Sequence, residues 1–110
     1  MKRVNSREIL INKIETDATL WVFLYAPMCG TCEIARSFIT MVEKVKEIEF
    51  VCEMDLNLAK DQAREWEIES VPCLVEFSHG EIQQKLYAFE SVSTVFEFIN
   101  HQKLVKKGDQ

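Results

Sequence analysis

Between Thr19 and Ala26 almost every position is apolar (TLWVFLYA), a run far shorter than a membrane span and without the alternation of a half-exposed strand. It predicts a strand buried on both faces, the usual state of a central strand in a helix-covered sheet. Before it, Ile9, Leu10 and Ile14 supply the apolar face of a short helix ending near Thr16. Asn5 or Ser6 would cap that helix, with Glu8 three residues after Asn5 as in a capping box, and a short strand near Lys2 to Val4 would precede it.

After the apolar run the period changes. From Thr31 to about Val45, Ile34, Ala35, Phe38, Ile39, Met41, Val42 and Val45 recur at helical spacing and predict a long amphipathic helix. EFVCEMD, residues 49 to 55, reads as a second strand. Asn57 would cap a helix through Trp66 or Glu67, with Ala59, Ala63 and Trp66 on one face. PCLVEFS restarts a strand at Pro72, HGE at 79 to 81 is a turn, and IQQKLYAF pairs back as a hairpin strand. Val92 to about Leu104, with Val95, Phe96 and Ile99 on one face, closes the chain as a helix. Strand–helix alternation followed by a hairpin predicts an α/β fold: a mixed four- to five-stranded sheet with helices on both faces.

The 110 residues, 47% hydrophobic and 28% charged, suit one domain with a core over about 6–104 and a tail at 105–110. A net charge of −5 argues against nucleic acid, which needs a basic surface to displace counterions. Lys103, Lys106 and Lys107 read as a solvated end suited to the negative pole of the last helix. The N-terminal MKRVNSREILINKIE has no uninterrupted apolar segment of export-signal length, so a soluble cytoplasmic protein with no membrane partner is expected. Four cysteines in that reducing compartment point to catalysis or metal binding before structural disulfides.

Two of them, Cys29 and Cys32, stand two residues apart where the buried strand gives way to the long helix. Cys29 then lies beside the helix's unpaired N–H groups and positive pole, which favour the thiolate, the nucleophilic form. Cys32, one turn on and shielded by the packed helix, is the natural resolving thiol for a mixed disulfide formed at Cys29. Gly30 is expected to let the backbone turn tightly and leave the sulfur accessible. Zinc ordinarily takes four N or S ligands, commonly from two such pairs; here there is one pair, with Cys52, Cys73, His79 and His101 dispersed, so no metal site is expected. A second anchor is ESVPCLVEF, in which Pro72 opens a strand without donating to its ladder and Val71 is biased toward extended geometry.

WVFLYAPMCGTCEIARSF is similar to the strand, CxxC and long helix of the thioredoxin family, LAKDQAREWEIESVPCLVEF resembles its next helix and proline-initiated strand, and HGE falls at its hairpin turn. The resemblance covers about residues 6–104. It implies the thioredoxin fold, a cis Val71–Pro72 bond facing the thiols, and a groove of Met28, Gly30, Thr31, Val71 and Pro72 where the Val71 backbone pairs with an extended substrate segment. It also implies reversible dithiol–disulfide exchange on protein disulfides through Cys29 and Cys32. Electrons would come from an NADPH-dependent flavoprotein (thioredoxin) reductase; a monomer with no bound cofactor of its own is expected.

Several positions depart from the family pattern. Met28 replaces the usual Trp, and Gly30-Thr31 replaces Gly-Pro, a change that accompanies altered redox poise in other members. Phe23 stands at the buried Asp, Val51 near its Lys, Ser37 at a helix-kinking proline, and Tyr87 near a groove-lining glycine. Without that Asp, a proton relay would run through Glu33, Glu53 or water. Cys73 follows Pro72 where Thr is common, and is either an auxiliary thiol near the active pair or, as strand alternation favours, a small core residue; Cys52 reads as core. Beside protein-disulfide reduction stand two alternatives: removal of low-molecular-weight thiol caps by Cys29 alone, and a redox-sensing binding module with little turnover.

Overall fold

Residues 20–24 are all buried, and they form the middle of a five-stranded sheet in a computed structural model that describes residues 1–100. In chain order the elements are β1 (Lys2–Arg3), α1 (Arg7–Thr16), β2 (Thr19–Tyr25), α2 (Gly30–Lys46), β3 (Val51–Asp55), a 3₁₀ turn (Leu56–Leu58), α3 (Lys60–Glu65), β4 (Cys73–Ser78), β5 (Glu81–Leu86) and α4 (Val92–Ile99). The sheet order is β1-β3-β2-β4-β5; β1, β3 and β2 run parallel, β4 is antiparallel to β2, and β5 to β4. This is the mixed sheet expected from the alternation of strands and helices.

Successive residues of β2 point to opposite faces and so define two cores. Leu20, Val22 and Leu24 pack with Leu10 and Ile14 of α1 and with Cys52, Met54, Cys73, Val75 and Phe77 of the neighbouring strands. Trp21 and Phe23 pack on the other face with Ala35, Ile39 and Val42 of α2 and Val95 and Phe98 of α4. Each fully buried Leu, Ile or Phe contributes roughly 1.5–3 kcal/mol relative to exposure. With both faces so covered, β2 ends against α2, and that junction carries the thiol pair.

Local chemistry adjusts the expected boundaries. Ser6, not Asn5, caps α1: its Oγ accepts from Ile9 N at 3.4 Å, so the capping box with Glu8 does not form. Ile9 is more than half exposed, and the inward face is Leu10 and Ile14, four residues apart. In α2 the buried stripe is Cys32, Ala35, Ile39 and Val42 with Glu43, while Ile34, Met41 and Val45 face outward. These apolar residues span more of the helix circumference than one sheet face can cover. Asn57 caps nothing; Asp55 accepts its N–H at 2.9 Å, closing the 3₁₀ turn, and α3 begins after the buried Ala59 without a side-chain cap. In α4 Phe98 joins Val95 in the core, with Phe96 and Ile99 at its margin. The expected extension to Leu104, the 105–110 tail and His101 lie outside the described residues.

Two further contacts fix the connections. The buried Glu43 carboxylate accepts from Phe50 N and Val51 N at 2.9 and 3.0 Å, tying the end of α2 to the start of β3. The β4–β5 hairpin turns through His79 (φ 51) and Gly80 (φ 83), two left-handed residues in sequence as a tight two-residue hairpin requires.

Ile39→Ala should lower the unfolding free energy by about 3 kcal/mol, since it leaves a cavity between α2 and the sheet. Equilibrium urea denaturation measures this; a loss below about 1 kcal/mol would mean the helix is not packed as described.

Candidate functional site at the start of α2

Cys29 is the residue that starts the helix rather than part of its body. Its backbone is extended (φ −110, ψ 109), and its sulfur takes the place of a capping oxygen, accepting the Cys32 N–H at 3.3 Å. Thr31 Oγ1 lies 3.3 Å from the same sulfur. Hydrogen bonding from the Cys32 side chain, then from the Thr31 hydroxyl, with help from the backbone N–H groups of both, holds the Cys29 thiol below the ordinary cysteine range despite some desolvation. The positive end of α2 favours the same thiolate.

Cys32 is completely buried. Burial, followed by its hydrogen bond to Cys29, pushes its thiol up to about 11, against a smaller pull downward from the Ala26 backbone and, least, from Arg36. One helical turn thus holds a partly exposed sulfur poised as thiolate and an enclosed sulfur kept as thiol. Such a pair can attack an outside disulfide with the first member and close internally with the second.

The reversal from β2 into α2 is made by Met28, not by Gly30. Met28 holds a left-handed φ of 57 and its side chain stands free in solvent, a conformation that strains a residue with a Cβ. Gly30 is already the first helical residue with no positive φ, and outside its chain neighbours a methyl group added to it would meet nothing within 4 Å. The expectation that glycine makes this turn is therefore corrected: the left-handed position lies two residues earlier.

The Val71–Pro72 peptide is cis. Pro72 and Thr31 line a cleft of about 310 Å³ together with Ile34, Tyr87 and Phe89. The cleft lies beside Cys29 through Thr31, so the two segments singled out in the sequence, CGTC and VPC, meet there. Ile34 and Phe89 were not among the sequence candidates for the site, whereas Tyr87 was marked near a groove-lining glycine position and does line the cleft. A signal existed for Ile34, which lies outside the 32/35/39/42 inward stripe of its helix; Phe89 gave none, because it follows the last strand in an irregular segment.

Cys73 is not in the cleft. It is fully buried on the α1 face of the sheet against Leu24 and Val75, and burial pushes its thiol up to about 11, so the auxiliary-thiol expectation gives way to the core one. Cys52 is a core residue in the same cluster. Phe23 and Val51 are both fully buried. The Phe23 ring stacks on Tyr25 at 6.1 Å and meets Phe89 edge-on at 6.0 Å, so aromatic contacts connect the core to the cleft wall. Glu53, the strand neighbour of Phe23, is buried and ion-paired with Arg36, whose guanidinium lies 4.5 Å from the Tyr25 ring centroid. Glu33 reaches Arg36 at 3.6 Å from the surface. Arg36 went unmarked in the sequence, although its place four residues after Cys32 puts both on one helix face.

Among the described residues no group of three or more His, Cys, Asp or Glu side chains could hold a metal ion, and no helix is long and apolar enough to cross a membrane. The thioredoxin family model matches residues 4–101. Thioredoxin-like protein YusE from Bacillus subtilis is 34% identical over 102 residues, covering 93% of each chain, and a thioredoxin from Mycoplasmoides gallisepticum is 27% identical over 89 residues, or 81% of this chain and 89% of that one. The solution structure of the oxidised thioredoxin from Plasmodium falciparum superposes with a TM-score of 0.79 at 19% identity, covering 93% of this chain and 97% of the other. Thioredoxin 3 from yeast mitochondria gives 0.76 at 19%, covering 92% and 94%. The fold is the thioredoxin fold.

Two outcomes follow for the pair. Because the Cys29 pKa is lowered, its alkylation rate by iodoacetamide should reach half-maximum at a lower pH than that of a free cysteine, while Cys32 reacts only under strongly alkaline conditions; peptide mass spectrometry across pH reads both, and equal profiles would refute the assignment. Gly30→Ala should raise stability by about 0.5 kcal/mol in urea denaturation, since it removes freedom from the unfolded chain and meets no residue beyond its chain neighbours.

Proposed function

The chain belongs to the thioredoxin family, a family of thiol–disulfide oxidoreductases, and from that premise we propose that it reduces protein disulfides through Cys29 and Cys32. The observation that carries this reading is the sulfur-capped helix: Cys29 accepts the Cys32 N–H at 3.3 Å while Cys32 itself is enclosed.

In the proposed cycle the Cys29 thiolate attacks one sulfur of a substrate disulfide. The substrate S–S bond breaks, one substrate cysteine leaves as a thiolate that takes up a proton, and a mixed disulfide joins Cys29 to the other. Cys32 then loses its proton and attacks the Cys29 sulfur. The second substrate cysteine leaves, and the Cys29–Cys32 disulfide forms. The substrate has gained two electrons from the protein and, with its second cysteine also protonated, two protons: one equivalent to that lost by Cys32 and one from solvent, to which Cys29 gave its own when the thiolate formed. Arg36, on the same helix face as Cys32 and drawing its pKa downward, favours the second deprotonation. It is positioned by Glu53 on one side and by the Tyr25 ring below, so its charge stays near the buried thiol without reaching the cleft.

The cleft beside Cys29 would receive the substrate segment, with Val71 offering a backbone edge and Met28 an apolar rim. Reduction of the closed disulfide is assigned to an NADPH-dependent flavoprotein of the thioredoxin reductase class. A monomer working in the reducing cytoplasm fits this cycle, because reduced Cys29 and Cys32 are the starting state.

Cys29→Ser should abolish turnover of a protein disulfide, and Cys32→Ser should leave the first step intact but accumulate a covalent complex visible on a non-reducing gel. Full activity of Cys32→Ser on glutathione-capped protein, with none on protein disulfides in the wild type, would instead establish decapping. Turnover by Cys29→Ser would remove the proposed mechanism altogether.

A further inference from the structure

We propose that Tyr87 is the positioning residue for the Val71–Pro72 edge of the cleft, an inference that rests on the disulfide-reductase reading for its kinetic consequence but not for its geometry. The segment at 70–72 must be held in place: Val71 packs on the core and Pro72 is buried, yet the backbone that leads into it is open to solvent. Glu67, where the connection leaves α3, is left-handed with φ 55, and Glu67, Glu69 and Ser70 are exposed. Its first backbone groups are tied to α3, with Glu67 N and Ile68 N donating to Arg64 O and Ala63 O at 3.1 and 2.9 Å. Pro72 has no N–H to give.

What secures the remainder comes from beyond β5. The Tyr87 hydroxyl accepts the Glu69 N–H at 3.2 Å. Glu69 stands two residues before Val71, so this oxygen fixes the chain where it enters the substrate-facing segment, while past Pro72 the pairing of Cys73 with Leu24 of β2 holds the other end. Lys85, in β5, adds a second tie, donating to Glu67 O at 3.1 Å. Tyr87 also lines the cleft with Pro72.

A substrate that lays an extended segment along Val71 needs that edge in register, whereas a small disulfide without a peptide backbone does not. Tyr87→Phe keeps the aromatic ring and removes only the hydroxyl. For a disulfide-closed peptide of about ten residues, its KM should rise about five-fold with kcat unchanged, the factor that one hydrogen bond of ordinary strength supplies. Its kcat/KM for hydroxyethyl disulfide should stay within two-fold of wild type. Independently of any turnover, amide exchange at Glu69 in the reduced protein should speed about ten-fold while Val22 and Val75 keep their protection.

Equal losses on both substrates, or none on either, would overturn the proposal, as would unchanged exchange at Glu69. If the wild-type protein turned over neither disulfide, the reductase reading would fall, and the exchange measurement would still decide the role of Tyr87. Should Tyr87→Phe lose protection throughout the core, Lys85→Met provides the second test: it should raise the peptide KM in the same direction by a smaller factor, and a peptide KM equal to wild type would overturn the clamp.

Discussion

Burial of β2 on both faces is the constraint from which the rest of the molecule follows. A strand with five consecutive enclosed side chains cannot lie at an edge or under one layer; it needs a neighbour on each side and a helix layer above and below. The chain meets this by wrapping α1 and α3 over one face and α2 and α4 over the other. Since α2 must fold back along the strand it has just left, its N-terminus is delivered to the strand's C-terminal end. The helix's unpaired N–H groups accordingly gather at one rim of the sheet, where a cysteine sulfur can accept them as a capping oxygen would.

Most of the remaining chemistry lies in how polar groups are paired within this apolar frame. Glu43 and Glu53 are both buried acids, but they do different work. Glu43 satisfies two backbone donors at the start of β3, a role in which the carboxylate behaves like a piece of main chain. Glu53 balances Arg36, and a buried pair of this kind is much costlier to halve than to keep or to remove whole. Around them Phe23, Tyr25 and Phe89 form a continuous aromatic wall where the family's pattern has an acid. The enclosed thiol is governed by burial and by its hydrogen bond to Cys29, with the Arg36 guanidinium a smaller influence.

The element order, the central strand and the helix-start cysteines were legible because each has a local signature: an unbroken apolar run, a period change, a CxxC at the change. Pro72 showed locally only as a proline opening a strand; its cis bond came from the family resemblance. What was not legible depends on distances through space. No local rule says that Asp55 takes the Asn57 N–H before Asn57 can cap a helix, or that Met28 rather than Gly30 absorbs the left-handed turn. Periodicity counted Ile34, Met41 and Val45 as inward because they are apolar, yet α2 has more apolar circumference than the sheet covers. Tyr87 meeting Glu69 across 18 residues of sequence is likewise a product of the hairpin's register.

The two sulfurs of α2 differ in depth, one open at the rim and one sealed a turn below. Depth here becomes chronology. Whatever arrives from solution can touch only the outer sulfur, and the inner one learns of the arrival only through the bond formed beside it. A single turn of helix thus works as an escapement, admitting one event at a time and in one order.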